Sequence, residues 1–254
     1  PILKTWIVNK QLAGKRIVIR QEGGLGDMIQ WISCAQDLKA MGATVIVCAP
    51  KALVPLLSLC PYLDHIINTN ETPAQVPHFD AQVTVMSLPC VLELKEDQMA
   101  RHTPYLRADQ DLVDYWKSSL KPGFNVGLCW QSDIGNDVSR FAMARRGIPL
   151  VKLARLSGIK GVNFYSLQKK DGLEQLADCP DFLHVFGHNF DESHGSFMDT
   201  AAVICSLDLI ITVDTAVAHL AGALGRPVWL LLPYQTDWRW ILHRTDSPWY
   251  PHMK

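Results

Sequence analysis

The chain has 254 residues, 48% of them apolar and 19% charged, with 16 Gly and 15 Pro. That composition excludes a disordered chain, a collagen-like repeat and a small disulfide scaffold, and the length suits one or two domains that each bury a core. Lys and Arg number 24 against 25 Asp and Glu, a net charge of -1, so no general electrostatic attraction favours nucleic acid or an anionic membrane as the main partner.

No run of about 18 apolar residues occurs, so no transmembrane segment is expected. The richest stretch, 209–232, is interrupted by Asp214, His219 and Arg226. The first 20 residues lack a signal-peptide core. Seven cysteines (Cys34, Cys48, Cys60, Cys90, Cys129, Cys179, Cys205) are scattered and form no C-x-x-C pair. Buried thiols in a reducing cytoplasm are the expectation, with a peripheral position at the inner membrane left open.

The first half alternates strand-like and helix-like segments. Residues 16–20 read as a short buried strand, broken by Gly23-Gly24-Leu25-Gly26-Asp27. A helix is predicted over 28–41 from Ile29, Ile32, Ala35, Leu38 and Met41 at helical spacing, ended by Gly42. A strand over 44–49, a helix over 50–59 and strands over 65–68 and 81–88 follow. Residues 93–107 are polar and mixed. An amphipathic helix over 109–120 ends at Lys121-Pro122-Gly123, and the domain boundary is placed at 121.

The alternation then restarts. Strands are predicted over 125–130, 163–167, 183–186, 209–213 and 228–232, and helices over 151–156, 172–177, 197–206 and 216–224. A long polar loop covers 131–147. Strands alternating with helices give parallel sheets covered on both faces. Two α/β halves imply a cleft, with ligands at the strand C-termini.

Five constellations could carry chemistry. Gly23, Gly24, Gly26 and Asp27 lie between the first strand and its helix. The spacing matches neither the G-x-G-x-x-G fingerprint nor a Walker A loop. Asp27 is either a helix cap or a carboxylate projected into the cleft. In the second, Asp214 ends a strand and Thr215 opens a helix, with Ala216 small and His219 about one turn in. Helix-start N–H groups there suit a diphosphate, while Asp214 as a cap and His219 as a satisfied half-buried histidine is the plainer alternative. The third is the loop 136–146, where Arg140, Arg145 and Arg146 suit phosphate oxygens unless they are simply solvated. The fourth is Gln168 after a strand, a group able to read a base edge or ribose. The fifth is Thr236-Asp237-Trp238-Arg239-Trp240 with Trp249-Tyr250 behind it, which either packs the terminal segment or walls the cleft with aromatic rings. Asp109-Gln110-Asp111 fits a metal-binding D-x-D pattern but opens a helix, so it reads as a cap. The nine histidines show no metal-ligand spacing, and no metal is expected.

Gly24-Leu25-Gly26-Asp27 after the first strand, and Asp214-Thr215-Ala216-Val217-Ala218-His219 later, resemble glycosyltransferase family 9, the heptosyltransferase-like group. The similarity is closest to the glycosyltransferase domain of tetratricopeptide-repeat proteins, through Val126-Gly127-Leu128-Cys129-Trp130, Ser166-Leu167-Gln168, Asp199-Thr200-Ala201-Ala202, the stretch 208–233 and Asp237-Trp238-Arg239-Trp240. The resemblance implies a GT-B-like fold: two Rossmann-like α/β domains facing across a cleft, 1–121 on the acceptor side and 122–254 binding the nucleotide sugar. It implies an inverting, metal-independent glycosyltransferase that moves a sugar from a nucleotide diphosphate donor to an acceptor hydroxyl, with no cofactor. The acceptor would be a saccharide, a lipid-linked glycan or a protein. Asp27 matches the family's general base. Asp214, Thr215, Ala216, His219 and Arg146 match the diphosphate site, Gln168 and Glu174 the base and ribose contacts, and Gly23, Gly24 and Gly26 the acceptor-side loop. Where this branch reads Arg-Ser, the chain has Arg146-Gly147, which removes one hydroxyl contact. A nucleotide-sugar-binding module without turnover and a GT-B-like nucleotide-sugar epimerase are the competing readings.

Overall fold

A computed structural model describes residues 5, 7–9, 11–69, 78–133, 146–179 and 181–254. Its organising feature is a pair of four-stranded parallel sheets, each wrapped by short helices. The first is built from β1 (Arg16–Arg20), β2 (Thr44–Ala49), β3 (His65–Asn68) and β4 (Ala81–Thr84) in the spatial order β3-β2-β1-β4. The second takes β5 (Phe124–Cys129), β6 (Val162–Ser166), β7 (Leu209–Val213) and β8 (Val228–Leu231) in the order β6-β5-β7-β8. Register follows from burial. Val18 pairs with Ile46 and Gln82, and Leu128 pairs with Ser166 and Ile211. Every residue of β7 is buried, as a central parallel strand covered on both faces requires.

The predicted helix over 28–41 begins earlier and is interrupted. α1 (Leu25–Trp31) starts inside the glycine loop, a 3-10 turn takes Ile32–Cys34, and α2 (Ala35–Ala40) follows. Two hydroxyls, one from Tyr105 and one from Ser33 within the turn, account for the interruption. Tyr105 Oη donates to the carbonyls of Ile29 (3.0 Å) and Gln30 (3.2 Å), and Ser33 Oγ donates to that of Gln30 (3.3 Å). Carbonyls engaged from the side no longer hold an uninterrupted helical ladder. The predicted helix over 50–59 is a 3-10 turn, Lys51–Leu53, followed by α3 (Val54–Leu57).

The predicted strand over 81–88 stops at Thr84, and α4 (Leu88–Val91) opens with Pro89, which fits a first helical turn where no N–H is needed. Asp109 caps α5 (Gln110–Ser118), accepting from the N–H groups of Asp111 (3.0 Å) and Leu112 (3.2 Å). The D-x-D pattern is therefore a cap. α6 (Leu150–Leu153) precedes β6. The predicted helix over 172–177 is the 3-10 turn Leu173–Asp178. The predicted strand over 183–186 is reduced to one bridge between Tyr165 and His184, and Phe186 stacks on Phe190 instead. α7 (Met198–Ser206) and α8 (Ala216–Ala223) complete the second half.

Several contacts join the halves, and two of them converge on α1. Tyr105 and Leu106 donate backbone N–H bonds to the carbonyl of Ala223 at the end of α8, at 3.0 and 3.3 Å, while the Tyr105 hydroxyl grips α1. The C-terminal segment crosses back as well. Trp31 of α1 lies parallel to Trp238 and edge-on to Trp249, with centroids 6.5 and 5.1 Å apart. The clustered tryptophans thus pack the terminal segment, while Trp238 itself remains 62% exposed. Five of the seven cysteines are buried; Cys90 is exposed and Cys205 intermediate. Among the described residues, no helix is long and apolar enough to cross a membrane.

Candidate active site

The site forms where α1 meets α8, helices that pack directly on each other. Gly26 permits the contact. A Cβ at this position would sit 2.7 Å from His219 Cδ2, closer than a carbon can approach. The end of the glycine loop and the first turn after Thr215 are therefore in touch, although about 190 residues separate them in sequence. Gly23 serves a different need: its φ of +73° turns the chain into α1, and a Cβ there would collide with the Asp27 carboxylate.

Asp27 closes the first turn of α1 and faces Arg239 of the C-terminal segment. Its Oδ2 accepts the Gly24 N–H at 2.6 Å, and its Oδ1 pairs with Arg239 Nη2. Arg239, 9% exposed, also donates from Nε to Gln30 Oε1 (2.9 Å) and from Nη1 to Asp237 Oδ1 (3.0 Å). Asp237 Oδ2 stands 3.6 Å from Arg146 Nη2, and Arg146 Nη1 stands 3.1 Å from Asp214 Oδ2. The result is a ladder of alternating charge: Asp27, Arg239, Asp237, Arg146, Asp214. It runs from the first half to the second. Removing either arginine leaves a terminal carboxylate, Asp27 or Asp214, without its cation, the costly way to break such a pair. Burial raises the Asp214 carboxyl above its ordinary range, and the Arg146 guanidinium opposes this.

At α8, Thr215 Oγ1 accepts the Val217 N–H at 3.2 Å and lies 3.3 Å from Thr212 Oγ1. One first-turn amide is thereby satisfied within the cap. The helix-start dipole remains, with Ala216 only half-buried beside it. His219 is 4% exposed. Its Nδ1 shares a 2.8 Å hydrogen bond with the Tyr250 hydroxyl, and its ring lies near-parallel to Trp240 at 5.4 Å. Burial, with the Arg146 charge adding to it, pushes the imidazole down to about 3. His219 is therefore neutral at neutral pH and can offer an anion a hydrogen bond but no charge.

Gln168 is not available to a nucleobase. Its Oε1 accepts the N–H groups of Trp130 and Gln131, both at 3.0 Å, and its Nε2 donates to the carbonyls of Gln131 and Asp171, both at 2.8 Å. All its amide capacity is spent holding the loops after β5 and β6. Glu174 is exposed and closes the same turn by accepting the Gly172 N–H at 2.8 Å. Both belong to the strand C-termini near Thr215, since Cys129 Sγ reaches Gln168 Oε1 (3.4 Å) and Thr215 Oγ1 (3.8 Å). Of the predicted arginine loop, Arg146 is described; Arg140 and Arg145 lie outside the described residues. Arg239, Asp237 and Tyr250 belong to the tryptophan-rich constellation, whose sequence suggests packing or an aromatic cleft wall and not an ion-pair role, and Gln30 carries no signal in the sequence. Their partners lie at sequence distances of up to 212 residues, which no local pattern reports. Among the described residues, no group of three or more His, Cys, Asp or Glu could hold a metal ion.

The sequence model of glycosyltransferase family 9 (heptosyltransferase) matches residues 194–234, the stretch that carries β7, the Thr215 cap and α8. Over that stretch the chain is similar to glycosyltransferase family 9. Protein FlbA of Caulobacter vibrioides is 25% identical over 266 residues, covering 96% of this chain and 44% of FlbA, so the chain spans less than half of that relative. The glycosyltransferase family 9 structure from Veillonella parvula aligns with a TM-score of 0.64 at 14% identity, covering 88% of this chain and 83% of that one. The ADP-heptose lps heptosyltransferase II of E. coli aligns at 0.59 and 15% identity, covering 85% and 84%. The iron-containing dodecameric glycosyltransferase TibC of E. coli aligns at 0.51 and 13% identity, covering 86% and 58%. The two parallel α/β halves are thus the GT-B-like arrangement of the heptosyltransferases.

Proposed function

We propose that this chain is a family 9-like glycosyltransferase that transfers a sugar, with inversion and without a metal, from a nucleotide diphosphate donor to an acceptor hydroxyl. The division of labour follows the two halves, parted near residue 121. Residues before it present the acceptor-side loop Gly23, Gly24, Gly26 and Asp27, and residues after it hold the donor. The observation that supports the reading is the close approach of Gly26 to His219, which brings the first turn of α1, where Asp27 lies, against the first turn of α8. A carboxylate on one half and a helix start able to bind an anion on the other are the two groups that a base-assisted displacement of a diphosphate needs.

Asp27 takes the proton of the acceptor hydroxyl as its oxygen attacks the anomeric carbon. The bond from that carbon to the diphosphate breaks on the opposite face, and configuration inverts. Charge developing on the departing diphosphate meets the N–H of Ala216 at the α8 start and the Arg146 guanidinium, fixed donors worth about 3–4 kcal/mol each in comparable oxyanion sites. Arg146 exchanges Asp237 for phosphate oxygen in this scheme. His219 contributes as a neutral hydrogen-bonding group held by Tyr250. Gln168 and Glu174 shape the pocket from behind by fixing the loops after β5 and β6. The iron of TibC is a reason to run the assay with and without chelator.

The test is a thermal-shift screen with UDP, ADP, GDP and their sugars, followed by transfer assays with the donor that binds. A ligand present at 100 times its Kd stabilises the folded chain by about 2.7 kcal/mol. Asp27→Asn is expected to abolish transfer while leaving donor affinity within about threefold. Transfer at the parent rate by that variant would remove Asp27 as base. Donor binding with no transfer to any acceptor would favour the binding-module reading, and isomerised donor without acceptor the epimerase.

A further inference from the structure

We propose that Arg239 is the positioning residue of the base: the C-terminal segment orients the Asp27 carboxylate through this guanidinium, so the carboxylate is aimed only when that segment is seated on α1. The inference rests on the reading of Asp27 given above. Three features carry it. First, Asp27 Oδ2 is already fixed by the Gly24 N–H, so the second oxygen, Oδ1, decides the carboxylate's rotation, and Arg239 Nη2 is its partner. Second, the guanidinium cannot follow the carboxylate if it moves. Its Nε is held by Gln30 Oε1 from the next turn of α1, its Nη1 by Asp237, and its plane lies over the Trp238 ring at 5.2 Å. Third, the segment itself is locked down, because Trp249 Nε1 donates to the Arg239 carbonyl at 2.6 Å and Trp249 packs edge-on to Trp31 of α1.

A side chain made only for stability would not need this fork. Asp237 alone satisfies a charge at Arg239, and Gln30 alone would dock the segment on α1. The fork instead places one planar group on Asp27 and on Gln30, which are one turn apart on the same helix face. Arg239 makes no contact with substrate in this scheme. Its effect on the reaction passes through the orientation of Asp27, and a displacement of about 1 Å at a reacting group costs roughly a hundredfold in rate.

The experiment compares the full chain with Arg239→Met, Arg239→Lys, Asp27→Asn and the double variant Asp27→Asn/Arg239→Met. Donor affinity is measured by calorimetry with the nucleoside diphosphate that gives the largest thermal shift, and turnover as sugar transfer from the corresponding nucleotide sugar. Arg239→Met is expected to lower kcat about a hundredfold with donor Kd changed less than threefold. Arg239→Lys is expected to recover part of the loss, since an ammonium reaches the carboxylate but cannot also hold Gln30. In the Asp27→Asn background, Arg239→Met is expected to change the residual rate less than threefold. A wild-type kcat in Arg239→Met, or a loss confined to donor Kd, would overturn the proposal while leaving Asp27 as base. Equal losses in both backgrounds would also overturn it, because the effect would then bypass Asp27. If the wild-type chain binds donor but transfers to no acceptor, the underlying reading fails and takes this proposal with it.

Discussion

The pH dependence of stability should report directly on the buried imidazole at the junction of α1 and α8. His219 sits at about 3 in the folded chain, against 6.5 for an unperturbed histidine. Between those values the unfolded chain binds one proton more than the folded one. The stability contributed by keeping His219 neutral is therefore complete above pH 6.5 and is lost progressively as pH falls towards 3. Within that window each pH unit costs about 1.4 kcal/mol, so the step from pH 7 to pH 5 removes about 2 kcal/mol. His219→Gln keeps a hydrogen-bonding partner for the Tyr250 hydroxyl and cannot take up a proton. Urea unfolding of both proteins at pH 7, 6 and 5 separates this group from every other acid-sensitive residue, because those are common to the pair. The stability gap between parent and variant is expected to narrow by about 2 kcal/mol from pH 7 to pH 5. Parallel pH profiles would refute a buried, neutral His219 and with it the close approach of the two helices.

Two further substitutions test the surrounding geometry. Gly26→Ala places a methyl against the fixed His219 ring and is expected to cost about 1–3 kcal/mol, whereas at Gly24 the added methyl meets only Asp27 Oδ2 at an ordinary 3.6 Å, so Gly24→Ala should stay within about 0.5 kcal/mol of the parent; equal melting temperatures for the two would deny the Gly26 contact. Gln168→Ala strands the buried N–H groups of Trp130 and Gln131, at about 1–3 kcal/mol each. It is expected to destabilise the chain by about 2 kcal/mol or more in chemical unfolding without changing the preference among UDP, ADP and GDP. A switch in nucleotide preference at unchanged stability would restore Gln168 to the base site.

The architecture was legible because it is written in short-range patterns. β-branched runs at 16–20, 44–49 and 209–213 sit between glycines and polar turns, and their alternation with helical spacing admits little besides paired parallel sheets. Asp27 and Thr215 stand out in the sequence for the same reason: each lies where a strand gives way to a helix. The exact ends of elements were less so. Nothing near Ile32 announces the 3-10 turn, because the Tyr105 hydroxyl that takes the Ile29 and Gln30 carbonyls comes from 75 residues or more away. The strand expected at 183–186 fails because Phe186 finds better burial against Phe190 and Tyr165 than a place on the sheet edge.

The charge ladder shows the other limit of local reading. Arg239 stands in a tryptophan-rich segment whose composition speaks of packing, and the segment does pack on Trp31. That its guanidinium also reaches the Asp27 carboxylate follows only from the seating of the C-terminal segment on α1. Gln168 illustrates the converse. A polar residue after a strand invites a ligand role, yet the same position is where two loops need their backbone groups satisfied, and one amide meets all four demands.

The most direct measurement is a crystal structure of the chain soaked with the nucleoside diphosphate that it binds best. Both phosphates are expected at the start of α8, with one oxygen within hydrogen-bond reach of the Ala216 N–H, Arg146 turned from Asp237 onto phosphate, and the Asp27 carboxylate facing the same space from α1. A diphosphate bound elsewhere, with the Thr215 cap and the Arg146–Asp237 pair undisturbed, would contradict the proposed donor site.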